Sequence, residues 1–177
     1  SREAVIETRV ELARRSGDAR ALSDALDQLA STGYHTPERR AELLLEAARA
    51  AASVDDESTA LERARRASKM APDHAEAVLE ARRLLYRMGG AGAPREAQEA
   101  IEELTRIEPK LAPSDVELQS FLLAEELDVI QGGGAGMREL AKRHAELGPR
   151  PLIALGMAER LAKGRSFAEA RPLFEDA

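Results

Sequence analysis

At 177 residues, 44% hydrophobic and 33% charged, the chain is long enough for one ordinary domain or for several small repeats stacked in a row, and it has no apolar run of the eighteen or so residues that a bilayer span needs. The absence of cysteine removes disulfide frameworks, thiolate metal sites and cysteine nucleophiles together, so folding is expected to rest on packing alone. A formal net charge of −6 argues against a phosphate-backbone partner, because nucleic-acid binders gather basic residues on one face to displace counterions.

The first residues, "SREAVIETRVELARR", carry charges throughout instead of the apolar centre of a secretory signal, and the expectation is a cytoplasmic protein. Arginine outnumbers lysine 22 to 4, a bias that fits a GC-rich bacterial genome. Along the chain Ala, Leu, Glu and Arg dominate, and residues that favour strands never alternate over a useful length, so the reading is all helix. Breaks fall at "RSGD" (15–18), "STGYHTP" (31–37), "VDD" (54–56), "MAPD" (70–73), "GGAGAP" (89–94), "EPKLAPS" (108–114), "QGGGAG" (131–136), "LGPRP" (147–151) and "KGRS" (163–166). About ten helical segments of roughly four turns lie between them.

Several segments carry their own start signals. Thr36 before Pro37 fits an N-cap with proline at the first helical position, where its missing N–H costs nothing. Asp73 with Glu76 and Ser114 with Glu117 have the spacing of a capping box.

A fixed period decides between one bundle and a repeating stack. Residues 41–74 and 75–111 align if three residues are inserted at the glycine-rich turn: both open on "AExxLEA", both place an alanine early in the second helix (Ala60, Ala97), and both place a proline twelve residues later (Pro72, Pro109). The alanines at 60, 64 and 67 put the smallest side chains of one helix on a single face.

A helix-turn-helix unit of this length, with small residues facing each other and a closing proline, resembles the tetratricopeptide repeat. In 41–74 the family's small positions fall on Ala48, Ala60 and Ala67, with Pro72 at the end; in 151–177 Ala158, Ala170, Phe174 and Ala177 match. Other units depart from the pattern. Arg82 and Leu104 occupy small positions of the third, which predicts looser packing there, and Met137 and His144 do so in the fourth, where Leu123 and Ala124 fit. The first 35 residues show a helical hairpin with little of the motif and are expected to act as a cap.

The resemblance implies an all-α fold, a right-handed α-α superhelix of about five helix-turn-helix units in a single domain, divided near 1–35, 36–74, 75–111, 112–150 and 151–177. Ala177 falls inside a second helix, so the stack is expected to continue or to be capped by another molecule, with apolar surface exposed at that end.

No constellation of catalytic residues stands out. "GGAGAP" and "QGGGAGM" invite a phosphate-loop reading, but no strand precedes them and no Gly-Lys-Ser/Thr follows, so they read as loosened interhelical turns. His35, His74 and His144 sit in separate units without the spacing of a metal pair: His35 in a loop, His74 near a helix start, and His144 on a packing position as a satisfied imidazole. No Ser, His and Asp set can be singled out, so neither catalysis, cofactor nor metal is expected.

The resemblance also implies a concave groove lined by one stripe of each first helix. These positions are Glu42, Leu45, Glu46 and Arg49, then Glu76, Leu79, Glu80, Arg83, Tyr86 and Arg87, forming ladders of Glu and Arg across neighbouring helices. Further along they become Leu118, Phe121, Leu122, Glu125 and Asp128, then Leu152, Leu155 and Glu159. The expected function is a non-enzymatic protein-protein interaction scaffold that binds a partner peptide or helix in the groove, anchored at Phe121 and Leu122. Some relatives clamp an acidic peptide C-terminus with lysines and asparagines; here Glu, Leu and Arg hold those positions, so a partner with basic residues toward the Glu ladders is expected instead. Three rival readings remain: a module that self-associates through its C-terminal end, an RNA-binding array of the pentatricopeptide type, which the acidic charge disfavours, and a regulator of an enzyme domain outside this chain.

Overall fold

Helices account for all the regular secondary structure of the computed structural model, which describes residues 1–164 and 167–177. In chain order they are α1 (Arg2–Ser16), α2 (Ala19–Ser31), α3 (Pro37–Ala52), α4 (Glu57–Met70), α5 (Ala75–Gly89), α6 (Pro94–Ile107), α7 (Val116–Ile130), α8 (Ala135–Leu147), α9 (Pro151–Lys163) and α10 (Phe167–Asp176). Each sequence break separates two of these helices; in the last, "KGRS", Arg165 and Ser166 lie outside the described residues.

The starts follow local chemistry. Asp18 accepts a hydrogen bond from the Ala21 amide at 3.0 Å, Thr36 from Arg39 at 3.2 Å and Asp56 from Thr59 at 3.2 Å, so each first turn has one of its free N–H groups satisfied. Proline opens α3, α6 and α9, where no intrahelical donor is lost. Two helix starts are displaced from their expected positions. Helix α5 takes His74 as its N-cap, one residue beyond Asp73, and His74 makes no capping bond through its side chain. Ser114 lies in a 3-10 turn, Pro113–Asp115, that shifts the start of α7 to Val116. Glu117 turns away from that start and accepts the amide of Leu152 at the head of α9.

The chain divides into two compact units, Ser1–Gly90 and Ala91–Ala177, and the division falls inside "GGAGAP". In the first, consecutive helices pack in order and α3 also packs beside α5, so α1, α3 and α5 form one layer and α2 and α4 the other. The stripe of small residues does what its spacing implies: Ala41, Ala48, Ala60, Ala64 and Ala67 are fully buried, letting α3 and α4 approach closely. Leu26, Leu43 and Leu44 fill the space between the layers, each contributing roughly 1.5–3 kcal/mol by its removal from water.

The α2–α4 layer also has a polar seam. Arg63 is only 6% exposed; it donates to Asp24 at 2.8 Å and to the hydroxyl of Ser23, which in turn donates to the Ala47 carbonyl at 2.6 Å. Arg66 donates to Asp27 at 2.7 Å one turn further on.

The second unit packs α6 against α7, α7 against α8 and α9, and α9 against α10, around Leu104, Ile107, Leu140, Ile153 and Ala158. Gln119 is buried among them and donates to the Leu104 carbonyl at 3.2 Å. Helix α8 approaches α7 closely at Gly136, next to Met137: a Cβ there would stand 2.5 Å from the Ala124 carbonyl oxygen, a distance only glycine avoids. Met137 and His144 are half-buried, and Nδ1 of His144 is buried without a hydrogen-bond partner, so this imidazole is not the satisfied one that was expected.

Candidate functional site

Helical periodicity puts Arg14, Glu46, Arg49, Glu80, Arg83 and Arg87 on the α1–α3–α5 layer, and the ion pairs follow the layer from helix to helix. Arg14 of α1 donates to Glu46 of α3 at 2.6 Å, and Arg49 of α3 donates to Glu80 of α5 at 2.9 Å. Arg83 then grips Glu80 from within α5, through Nη2 at 2.6 Å and Nε at 2.7 Å. Part of the Glu and Arg ladder expected from the repeat is therefore present, and in it Glu46 and Glu80 are already engaged.

Electrostatics agree with this. Burial pushes the Glu80 carboxyl up, yet hydrogen bonds from Arg83 and Arg49 outweigh it and hold the group below its ordinary 4.5. At the other end of the layer Glu42 is held low, chiefly by a hydrogen bond from Arg39 at 2.8 Å, with His74 Nε2 standing 3.5 Å away.

Where α3 and α5 end, Arg49, Arg83 and Arg87 surround a cleft of about 350 Å³ floored by Ala52, Leu84 and Met88, with Ser53 at its edge. Arg87 is exposed and has no ion pair or side-chain hydrogen bond among the described residues. Glu76, at the opposite end of α5, is exposed in the same way, and Tyr86 is half-buried.

The apolar positions of the expected groove fare differently. Leu45 and Leu79 are buried, as part of the packing of α3 and α5. Phe121 and Leu122 are 9% and 3% exposed, so the expected anchor is not presented to solvent. The reason lies across the helix pair: Gly156 of α9 brings its backbone so close to the Phe121 ring that a Cβ would meet it at 3.3 Å. Leu118, Leu152 and Leu155 are half-buried.

Arg160 is a residue that the stripe pattern missed. It reaches from α9 to α7 and donates to Glu125 and Asp128, both at 2.9 Å, and to the Gly156 carbonyl at 2.9 Å. Here the acids precede the arginine in the chain, the reverse of the α1–α3–α5 layer, and Glu159 remains exposed beside it.

The glycine clusters bind the chain's own carboxylates. The Gly92 amide donates to Glu126 at 3.0 Å, and the Gly136 amide donates to Asp128 at 2.7 Å, where a phosphate cradle would have left such donors open. Gly132, Gly133 and Gly134 all have positive φ, the conformation that the tight entry into α8 requires.

No helix among the described residues is long and apolar enough to cross a membrane. No family model matches the sequence, and no curated protein matches it. Among solved structures the MamA RS-1 ArsTM double mutant, a TPR-like protein, is similar with a TM-score of 0.65 at 16% identity, over 98% of this chain and 91% of that one. Ten helices among the described residues, with the packing seen inside each unit, the buried alanine stripe and this likeness together identify the fold as an all-α, TPR-like helical repeat.

Proposed function

We propose that the chain is a non-enzymatic protein-interaction scaffold and that the α1–α3–α5 layer of its first unit is the binding surface, with the cleft at the ends of α3 and α5 receiving an acidic side chain or a terminal carboxylate of a partner peptide. The observation that carries this is the charge balance of the cleft: Arg49 and Arg83 both pair with the carboxylate of Glu80, which leaves the third arginine, Arg87, without a counter-ion among the described residues. An arginine pair or fork is a good receptor for a carboxylate, and the apolar floor of Leu84 and Met88 lowers the local dielectric. The pairing reverses the sequence-based preference for basic partner residues, because Glu42, Glu46 and Glu80 are taken by Arg39, Arg14 and Arg49.

Fluorescence anisotropy with a labelled Glu- and Leu-rich peptide of roughly ten residues tests the reading, against a peptide with Lys in place of Glu. The acidic peptide is expected to bind, to weaken with added salt, and to lose about tenfold or more in affinity with Arg87→Glu, a charge reversal at an exposed position. Equal binding of the two peptides, or an unchanged Kd with Arg87→Glu, overturns it.

Self-association is favoured by a separate observation: Leu12 on α1 is 60% exposed and Phe174 on α10 is 47% exposed. Light scattering over a concentration range distinguishes this from a monomeric receptor. An RNA partner fits poorly, since Glu42, Glu46, Glu76 and Glu80 share the layer with its arginines; retention of RNA on a filter at low salt would argue the opposite.

A further inference from the structure

The turn that joins α2 to α3 brings His35 against the first two turns of α1. Glu3 and Glu7 are four residues apart on that helix, so their carboxylates stand one above the other on the same side. One carboxylate oxygen from each and a ring nitrogen of His35 all lie within 4.8 Å of one another. Nε2 of His35 is 3.8 Å from Oε1 of Glu3, too far for a hydrogen bond.

What separates this group from an ordinary surface ion pair is an unmet need on each member. Nε2 of His35 is buried and has no hydrogen-bond partner. Glu7 has no hydrogen bond or ion pair among the described residues, and Glu3 has only the long approach to His35. Buried polar atoms are nearly always satisfied, so a buried ring nitrogen beside two unengaged carboxylates points to a group that would satisfy all three.

We propose that Glu3, Glu7 and His35 bind a divalent transition-metal ion of the zinc class. Two carboxylates and an imidazole are a borderline donor set: the nitrogen suits zinc and its neighbours, whereas magnesium and calcium prefer shells made wholly of oxygen. Ligands at about 2.1 Å from a tetrahedral ion stand about 3.4 Å apart. Glu3 and His35 need to close by only a few tenths of an ångström to reach that spacing, and the remaining separations are within the swing of a glutamate side chain. Three protein ligands leave a fourth position for water or for a side chain of another molecule. Sequence spacing hides the site, since its histidine joins carboxylates about thirty residues upstream and no second histidine. The binding cleft lies elsewhere in the unit, and neither proposal depends on the other.

The test is zinc uptake by the untagged full chain, followed by equilibrium dialysis and calorimetry, with magnesium chloride as the control ion. One zinc per chain is expected in the wild type and in His74→Ala, which alters the imidazole beside Glu42. A loss of about 100-fold or more in affinity is expected for His35→Ala, since removal of partners outside the ligand shell already costs 10–100-fold. Zinc is also expected to raise the thermal midpoint of the wild type and not of His35→Ala. The exposed substitution Glu7→Gln serves as a second variant if His35→Ala loses its helical circular dichroism, and it too must weaken uptake. No uptake at about 100 µM zinc, or equal uptake by the wild type and by whichever of these variants keeps its fold, overturns the proposal.

Discussion

Phe121 packs against the α9 backbone at Gly156, in a space shared with Leu140, whose Cδ1 would stand 2.8 Å from a Cβ on that glycine. Truncation at this position removes a nearly buried ring and leaves a cavity that the close helices cannot collapse. Phe121→Ala is therefore expected to cost about 3–5 kcal/mol of stability, read from urea unfolding followed by circular dichroism. A change below about 1 kcal/mol would show that the ring is not held by the core. The periodicity of the sequence marks Phe121 and Leu122 as one stripe of a first helix, and that much is correct. It does not show that a glycine on a helix 35 residues later admits the stripe to the interior, because close approach is a property of both partners. The charged positions are more legible: Arg49 and Glu80 pair across neighbouring helices, as their repetition implies, whereas Arg14, the partner of Glu46, lies outside the repeated stripe.

At the scale of the element, the helix starts that hold are those where one residue both ends the preceding loop and caps the next turn. Thr36 does this for α3, with Pro37 fixing the first backbone angle. Thr36→Ala is expected to lower stability by about 1 kcal/mol, whereas Thr36→Ser should be nearly neutral, a contrast that parallel urea titrations would resolve. If the two variants match, the cap contributes nothing. The starts that move, near Asp73 and Ser114, carry capping-box spacing, but α5 begins after His74 and α7 after a 3-10 turn. In both places the proline beside the acid or serine bends the chain into a turn first, so the helix begins one residue later than the pattern allows. The glycine-rich segments are turns, as their composition implies, but their use of Glu126 and Asp128 as internal partners depends on the packing of α7 and has no signature in the turns themselves.

At the scale of the whole molecule, the repeat period predicted helix order and the alanine contacts, while the division at Gly90 falls within a repeat and is not marked by the period. Each unit has its own buried core, the first around Leu26, Leu43 and Leu44 and the second around Leu140 and Ile153. Residues 1–90 expressed alone are expected to keep a helical far-ultraviolet spectrum and to melt in a single transition. A disordered spectrum would mean that the first core needs the rest of the chain. Repeat arrays draw their stability from each unit and its nearest neighbours, which is why a piece of one can fold.

The bridge from Arg14 to Glu46 spans 32 residues and the bridge from Arg49 to Glu80 spans 31, so α3 carries a socket for the helix before it and a plug for the helix after it. A duplicated copy of this block, spliced in tandem, would meet a matching half at each junction. Lengthening the array by gene duplication thus requires no new electrostatic invention.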